Sequence, residues 1–173
     1  MSKRFPLGMT APETDVVTLT ASMVAQTVEL SRATPRGRFI QRLHKEDGAS
    51  LQRMLNAMQP DTYLRPHRHL YPPKSEAFIV LRGKVRFVEF NDTGKVARWI
   101  DMQADSEIFG VDIEPAVWHA LIVLKPDSVI FEVKNGPYDK TSDKDFADWA
   151  PVEGTPEAKT YLHELIKKTG GIS

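Results

Sequence analysis

RPHRHLYPPKSEAFIVLRG, residues 65–83, is the stretch on which the fold turns. His67 and His69 are two residues apart, so on a strand both imidazoles leave the same face. Pro72 and Pro73 interrupt the chain, and Glu76, Phe78 and Val80 then share one face of a following strand. Further on, Pro115-Ala116-Val117-Trp118-His119 brings a third histidine to the start of a strand behind a proline turn. Three imidazoles and a carboxylate on neighbouring strands can converge inside a closed β-structure. Neutral imidazole nitrogen and carboxylate oxygen suit one divalent transition metal such as Zn, Fe, Mn or Ni, and Cu as well. The predicted ligands are His67, His69, Glu76 and His119. On an octahedral ion they leave two positions for water or substrate. A lone HxH is weak support, because such pairs more often serve surface or core hydrogen bonding. The added Glu76, Gly83 and PxxxH segment strengthens it, since three of only five histidines take the matching places.

Outward from this stretch the hydrophobic pattern is that of short strands. Strands are predicted at 39–43, 51–58, 63–69, 76–81, 85–90, 96–101, 107–113, 118–124 and 128–133. Gly83-Lys84 reads as a tight turn that makes 85–90 the hairpin partner of 76–81, and Asn91-Asp92-Thr93-Gly94 as a second turn. Regularly spaced short strands argue for a closed or sandwiched antiparallel β-structure. Residues 1–17 read as a loose arm. Residues 20–32 fit a helix capped by Thr20, with Met23, Val24, Thr27, Val28 and Leu30 on one face, ended by Pro35-Arg36-Gly37. Beyond Asn135-Gly136-Pro137, residues 138–154 are polar with isolated Phe146 and Trp149, and are expected to lie across the barrel surface. A second helix is expected after Thr155-Pro156-Glu157, with Thr155 as cap. Ala158, Tyr161, Leu162, Leu165 and Ile166 form its apolar stripe, and Lys167, Lys168 and Gly170 end it. The expected layout is 1–35 arm and short helix, 36–136 β-barrel, and 137–173 C-terminal extension with a helix packed on the barrel.

The 173 residues contain no cysteine, which removes disulfides, thiolate metal sites and cysteine nucleophiles together. Lys plus Arg and Asp plus Glu each number 23, so the overall basic excess usual in nucleic-acid binding is missing. The start, MSKRFPLGMTAPETDVV, has no apolar run of signal-peptide length, and no stretch reaches the roughly 20 apolar residues that span a bilayer. A soluble, cytoplasmic protein is expected, with neither nucleic acid nor membrane as partner.

These segments resemble the two motifs of the cupin superfamily. His67-Arg68-His69, Glu76 and, after six intervening residues, Gly83 match the first motif. The gap LYPPKS between His69 and Glu76 is longer than the usual three or four residues. Gly110, Pro115 and His119 match the second motif, without its inner glycine and with a Pro-to-His spacing one residue shorter. More specifically, SRATPRGRFIQRLH, LQRMLNAMQPDTYLRPHRH, EPAVWHALIVLKPDSVIFEVKNGPYD and DKDFADWAP resemble the WbuC-type cupin-fold metalloprotein family, over roughly residues 25–170. The resemblance implies a mainly β, single cupin (a double-stranded β-helix or jelly-roll barrel) with an N-terminal and a C-terminal helix. It also implies a bound metal and a link to bacterial surface-polysaccharide gene clusters, and leaves the reaction open.

Around the metal stretch, Arg65, Arg53, Tyr71 and Lys74 are candidates for substrate binding. Arg65 has the parity of His67 and is expected inside, either clamping a carboxylate or phosphate of the substrate or pairing with an acid such as Glu132. Arg68 has the opposite parity. Tyr63, Phe78, Phe87 and Trp118 are expected to fill the core, His44 to play a structural part, and His163 to face solvent. Arg36 and Arg38 are read as solvated or close to a subunit contact. Three functions fit. The first is an enzyme, in which the metal acts as a Lewis acid on a small oxygen-rich molecule such as a sugar or nucleotide sugar, in isomerase or epimerase fashion; an Fe-dependent oxygenase is a variant, and Glu76 could act as base if it is off the metal. The second is a non-catalytic binding module. The third, a metal-free structural cupin, sits poorly with the full ligand set. Exposed strand edges lead to the expectation of a homodimer.

Overall fold

The computed structural model describes residues 6–171. Its elements are β1 (Gly8–Met9), α1 (Ala21–Ala33), β2 (Arg38–Arg42), β3 (Leu51–Met58), β4 (His67–Arg68), β5 (Glu76–Arg82), β6 (Lys84–Phe90), β7 (Val96–Gln103), β8 (Gly110–Ile113), β9 (Trp118–Val123), β10 (Ser128–Asn135), β11 (Asp145–Phe146) and α2 (Pro156–Lys168). Two sheets face each other, one ordered β1-β2-β3-β10-β5-β8 and the other β11-β4-β9-β6-β7. Pairing is antiparallel throughout except between β1 and β2. This is a mainly β jelly roll with one helix before it and one after.

Three local expectations are corrected. The segment 85–90 is not the hairpin partner of 76–81: β5 pairs with β10 and β8, whereas β6 pairs with β7 and β9. The chain passes from one sheet to the other at Gly83, whose φ is +79°. A Cβ there would collide with the Ser128 side chain and stand 2.8 Å from Ser128 Cα, so the crossover needs glycine. The strand expected over 63–69 shrinks to His67–Arg68, because Thr62 and Tyr63 face other parts of the chain: Thr62 Oγ1 donates to the Gly37 carbonyl at 2.6 Å, and Tyr63 Oη to the Pro151 carbonyl at 3.0 Å. Within the expected loose arm, Gly8 and Met9 join the first sheet opposite Ile40 and Gln41. Residues 1–5 of that arm and the last two residues lie outside the described residues.

Both helices cover outer sheet faces. Thr20 caps α1 by accepting from the Met23 N–H at 3.2 Å, and Val28 packs with Leu55, Ala57 and Val129. Leu30, expected on the apolar face, is half-buried, and Ser31 is buried instead. Ala158, Leu162 and Leu165 of α2 pack on Val88, Phe90, Ala120 and Ile122 of the second sheet, joined by Tyr63. Thr155 precedes α2 but makes no side-chain cap; its hydroxyl donates to the Val152 carbonyl instead. Among the described residues, no helix is long and apolar enough to cross a membrane.

Between the sheets, side-chain polarity changes along each strand. Buried residues on alternate positions read Val80, Phe78, Glu76 on β5; Val123, Leu121, His119 on β9; Ile130, Glu132, Lys134 on β10; and Met58, Asn56, Met54, Gln52 on β3. One end is a dry plug of Met58, Val80, Val85, Met102, Val123 and Ile130. Burying such side chains contributes about 1.5–3 kcal/mol each. The other end is lined with ionisable and amide groups, a placement that costs stability unless they are paired.

Candidate metal centre

His67 lies on β4, directly opposite His119 on β9. Glu76 opens β5 on the facing sheet, and His69 follows β4. The LYPPKS gap folds into a turn whose Tyr71–Pro72 peptide is cis. All four side chains are buried, and one ligand atom from each lies within 4.8 Å of the other three. Glu76 Oε2 stands 3.4 Å from His69 Nε2 and 3.2 Å from His119 Nε2. The His67 and His119 ring centroids are 4.5 Å apart.

Each imidazole is held by its other nitrogen. His67 Nδ1 donates to the Arg65 carbonyl at 3.0 Å, His119 Nδ1 to the Val117 carbonyl at 2.9 Å, and His69 Nδ1 to the Asp143 carbonyl. A proton on Nδ1 leaves the Nε2 lone pair free and aimed at the shared centre, the arrangement that metal-binding histidines use. His69 Nε2, His119 Nε2 and Glu76 Oε2 are buried with no hydrogen-bond partner, a costly state in a folded protein. Burial, with help from the nearby Lys144 charge, keeps His67 well below its ordinary pKa and therefore neutral. For Glu76, burial would raise the pKa, but the neighbouring His119 and His69 side chains, with the Lys134 charge, outweigh it and hold the carboxylate ionised. Neutral imidazoles and an ionised carboxylate are the states a cation requires. The group can hold a metal ion.

The centre opens into a pocket of about 270 Å³. Glu132, beside Glu76, is pushed up to about 7 by burial and by the Glu76 charge, and Asn56 Nδ2 donates to it at 3.4 Å. Asp143 anchors two buried lysines, Lys74 at 2.9 Å and Lys134 at 2.6 Å. Burial would raise the Asp143 pKa, but the lysines hold it below the usual range.

The substrate-binding candidates are scattered. Arg65 lines the pocket and does not pair with Glu132. It donates to the Ala150 and Ala147 carbonyls at 3.1 and 2.7 Å and sits over the Phe146 ring. Arg53, Tyr71 and Lys74 do not line the pocket. Arg53 has the outward parity on β3, Tyr71 is 80% exposed in the turn, and Lys74 is buried but bound to Asp143 and the Pro137 carbonyl. Arg36 and Arg38, read as solvated or close to a subunit contact, both pair with Glu153 beside the pocket; Arg36 is exposed and Arg38 half-buried. His44 is buried, with Nδ1 accepting the Arg53 backbone N–H at 3.0 Å, and His163 is exposed. Phe78 and Phe87 lie in the core between the sheets, Tyr63 under α2, and Trp118 is only half-buried.

Sequence reasoning named Glu132 only as a possible partner of Arg65 and missed Asp143 and Lys144. Glu132 carried a signal, because it and Lys134 follow Ile130 at the inward parity of an otherwise apolar strand. Residues 138–154 were expected to lie across the outside. Instead, β11 pairs with β4, placing Phe146 opposite His67, and the Asp143 carbonyl orients a histidine of the centre.

A family model described as a domain of unknown function (DUF6016) matches residues 19–102, just under half of the chain. No curated protein matches. Among solved structures, an oxalate oxidase in complex with the substrate analogue glycolate is similar at 15% identity, with 82% of this chain and 76% of that one covered and a TM-score of 0.51. The capsular polysaccharide assembling protein CapF from Staphylococcus aureus is similar at 20% identity over 61% of this chain, with a TM-score of 0.50. A recombinant oxalate oxidase with glycolate gives 15% identity over 66% of this chain and a TM-score of 0.49. The chain spans 28% of the CapF chain and 57% of the recombinant oxalate oxidase. The likeness to the first two shows the fold alone, a two-sheet β jelly roll.

Proposed function

We propose that this protein is a metal-dependent cupin that binds a divalent transition metal through His67, His69, Glu76 and His119 and uses it on a small oxygen-rich molecule, a sugar or nucleotide sugar. The observation that carries this reading is the set of three imidazoles pinned through Nδ1, two of which, His69 and His119, turn buried, unpartnered nitrogens toward Glu76. A metal held there supplies Lewis-acid polarisation of a ligand carbonyl or hydroxyl. The protein's own groups fix the rest. The carbonyls of Arg65, Asp143 and Val117 set the imidazole orientation. Asn56 and Glu132 offer hydrogen bonds to ligand hydroxyls on the β3–β10 side of the pocket. The apolar plug excludes water from behind the centre. With Glu76 wedged between two histidines, the ligand role is favoured over that of a free base. The resemblance to the WbuC-type family supports a place in surface-polysaccharide metabolism, as does the shared fold with CapF, a capsular polysaccharide assembling protein by name.

The test is elemental analysis of protein purified without an affinity tag, followed by incubation of the loaded protein with sugars and nucleotide sugars in heavy water. About one metal per chain with deuterium incorporated at a sugar carbon supports the enzyme. Metal with saturable binding but no exchange identifies a binding module. Absence of metal, with no uptake of Zn, Mn, Fe or Ni, overturns the reading.

A further inference from the structure

Most of the cations lining the pocket are already engaged. Arg38 pairs with Glu153 at 2.6 Å, Arg42 with Asp47 at 3.0 Å and Lys134 with Asp143 at 2.6 Å, while Arg65 is bound by two carbonyls. Lys144 also lines the pocket and is half-buried, yet among the described residues nothing gives its ammonium an ion pair or a hydrogen bond. Its backbone is fixed on both sides. Asp143 is tied to His69, Lys74 and Lys134, and Asp145 pairs with Arg68 at 2.8 Å and stands opposite it in the β11–β4 ladder. Lys144 thus stands on a tethered stretch of backbone at the wall of the pocket that holds the centre.

Such a charge is expensive. Burial, and then the neighbouring Lys134, depress the Lys144 pKa, and the carboxylates of Glu76, Glu132 and Asp143 only partly offset them from beyond ion-pair distance. Glu76 belongs to the centre and Asp143 is shared by two other lysines. An anionic ligand would relieve the cost, and a charge-assisted hydrogen bond in a half-buried pocket is among the stronger polar contacts available.

We infer that Lys144 anchors an oxyanion, a carboxylate or a phosphate, on the molecule that occupies the metal centre. This rests on the proposed function and narrows its substrate class from oxygen-rich molecules in general to acidic ones, such as sugar acids or sugar phosphates. The hydroxyl or carbonyl end faces the histidines, and the charged end faces β11.

The test is calorimetric titration of the metal-loaded full chain with D-glucuronate, D-glucose 6-phosphate and neutral D-glucose, for the wild type, Lys144→Met and Lys144→Arg. The expected result is binding of one or both anions, with glucose at least about tenfold weaker. Preference between the two identifies carboxylate or phosphate. Lys144→Met should weaken the anion by at least about tenfold at unchanged metal content, with Lys144→Arg recovering most of it. Anion affinity unchanged in Lys144→Met, even with a lowered melting temperature, would make Lys144 a structural counter-charge and overturn the inference. Binding of glucose as tight as that of the anions, or no anion binding at all, would also overturn it. Repeating the titration on metal-stripped protein separates the two readings: Lys144-dependent anion binding that needs no metal keeps the anchor and removes the metal from its function.

Discussion

The backbone carbonyl of Asp143 accepts the Nδ1 proton of His69 across 74 residues of sequence, while the carboxylate of the same residue neutralises Lys74 and Lys134. One residue of the C-terminal extension thus orients a candidate ligand and balances the charge around it. Asp143→Ala strands two buried ammoniums, and breaking a buried pair of this kind typically costs about 3–5 kcal/mol. Urea denaturation should show a loss of that order. Metal affinity should fall about 10–100-fold as His69 loses its orientation. An unchanged denaturation midpoint would mean that the lysines find other partners.

Removing a ligand should act on metal uptake more than on folding. His119→Ala and Glu76→Gln should each lower the metal content of the purified protein well below one per chain. They should also abolish the rise in melting temperature that saturating Zn or Mn gives the chelator-stripped wild type. An equal rise in the variants would place the ion elsewhere.

The raised pKa of Glu132 has a defined pH signature in metal-free protein. Its folded-state value, about 7, lies above the ordinary carboxyl value, so the folded state binds the proton more tightly than the unfolded chain does. The contribution is fully present below about pH 4.5 and is lost as pH rises through about 7, amounting to roughly 3 kcal/mol. The stability of the wild type relative to Glu132→Gln should therefore decline between these limits, as measured by urea melts across pH. Metal loading should move the decline to lower pH, since a cation beside Glu76 favours ionised Glu132. A difference that is flat with pH would mean that Glu132 titrates normally.

The crossover at Gly83 can be tested alone. Gly83→Ala forces a side chain into the left-handed region and against Ser128, so a destabilisation of about 2 kcal/mol or more is expected in denaturant melts. Full wild-type stability would contradict the geometry of the sheet switch.

The candidate ligands were legible because a strand reading gives His67 the parity of His69 and Glu76 that of Phe78, although β4 itself ends at Arg68. The proline turn before His119 likewise marked a strand start. What surrounds them was not, for a tertiary reason. Whether Gly83 makes a hairpin or a crossover depends on the Ser128 backbone beside it, not on neighbours in sequence. Arg65 has inward parity, but its guanidinium is claimed by carbonyls of residues 147 and 150, which no local pattern predicts. Tyr71 and Lys74 are close to the histidines in sequence, yet the turn between them sends one outward and buries the other against Asp143. Closeness along the chain was a poor guide to closeness in space, whereas the alternation of Ile130, Glu132 and Lys134 held the information, of which only Glu132, as a partner for Arg65, was drawn out.

The dry plug of Met58, Val80, Val85, Met102, Val123 and Ile130 closes the barrel behind the four ligands. Among the described residues, the pocket where Arg38 and Phe146 stand leads to the ligands on the side away from this plug. An ion that takes this route to the centre would enter ahead of any molecule lying over it, and would leave behind it.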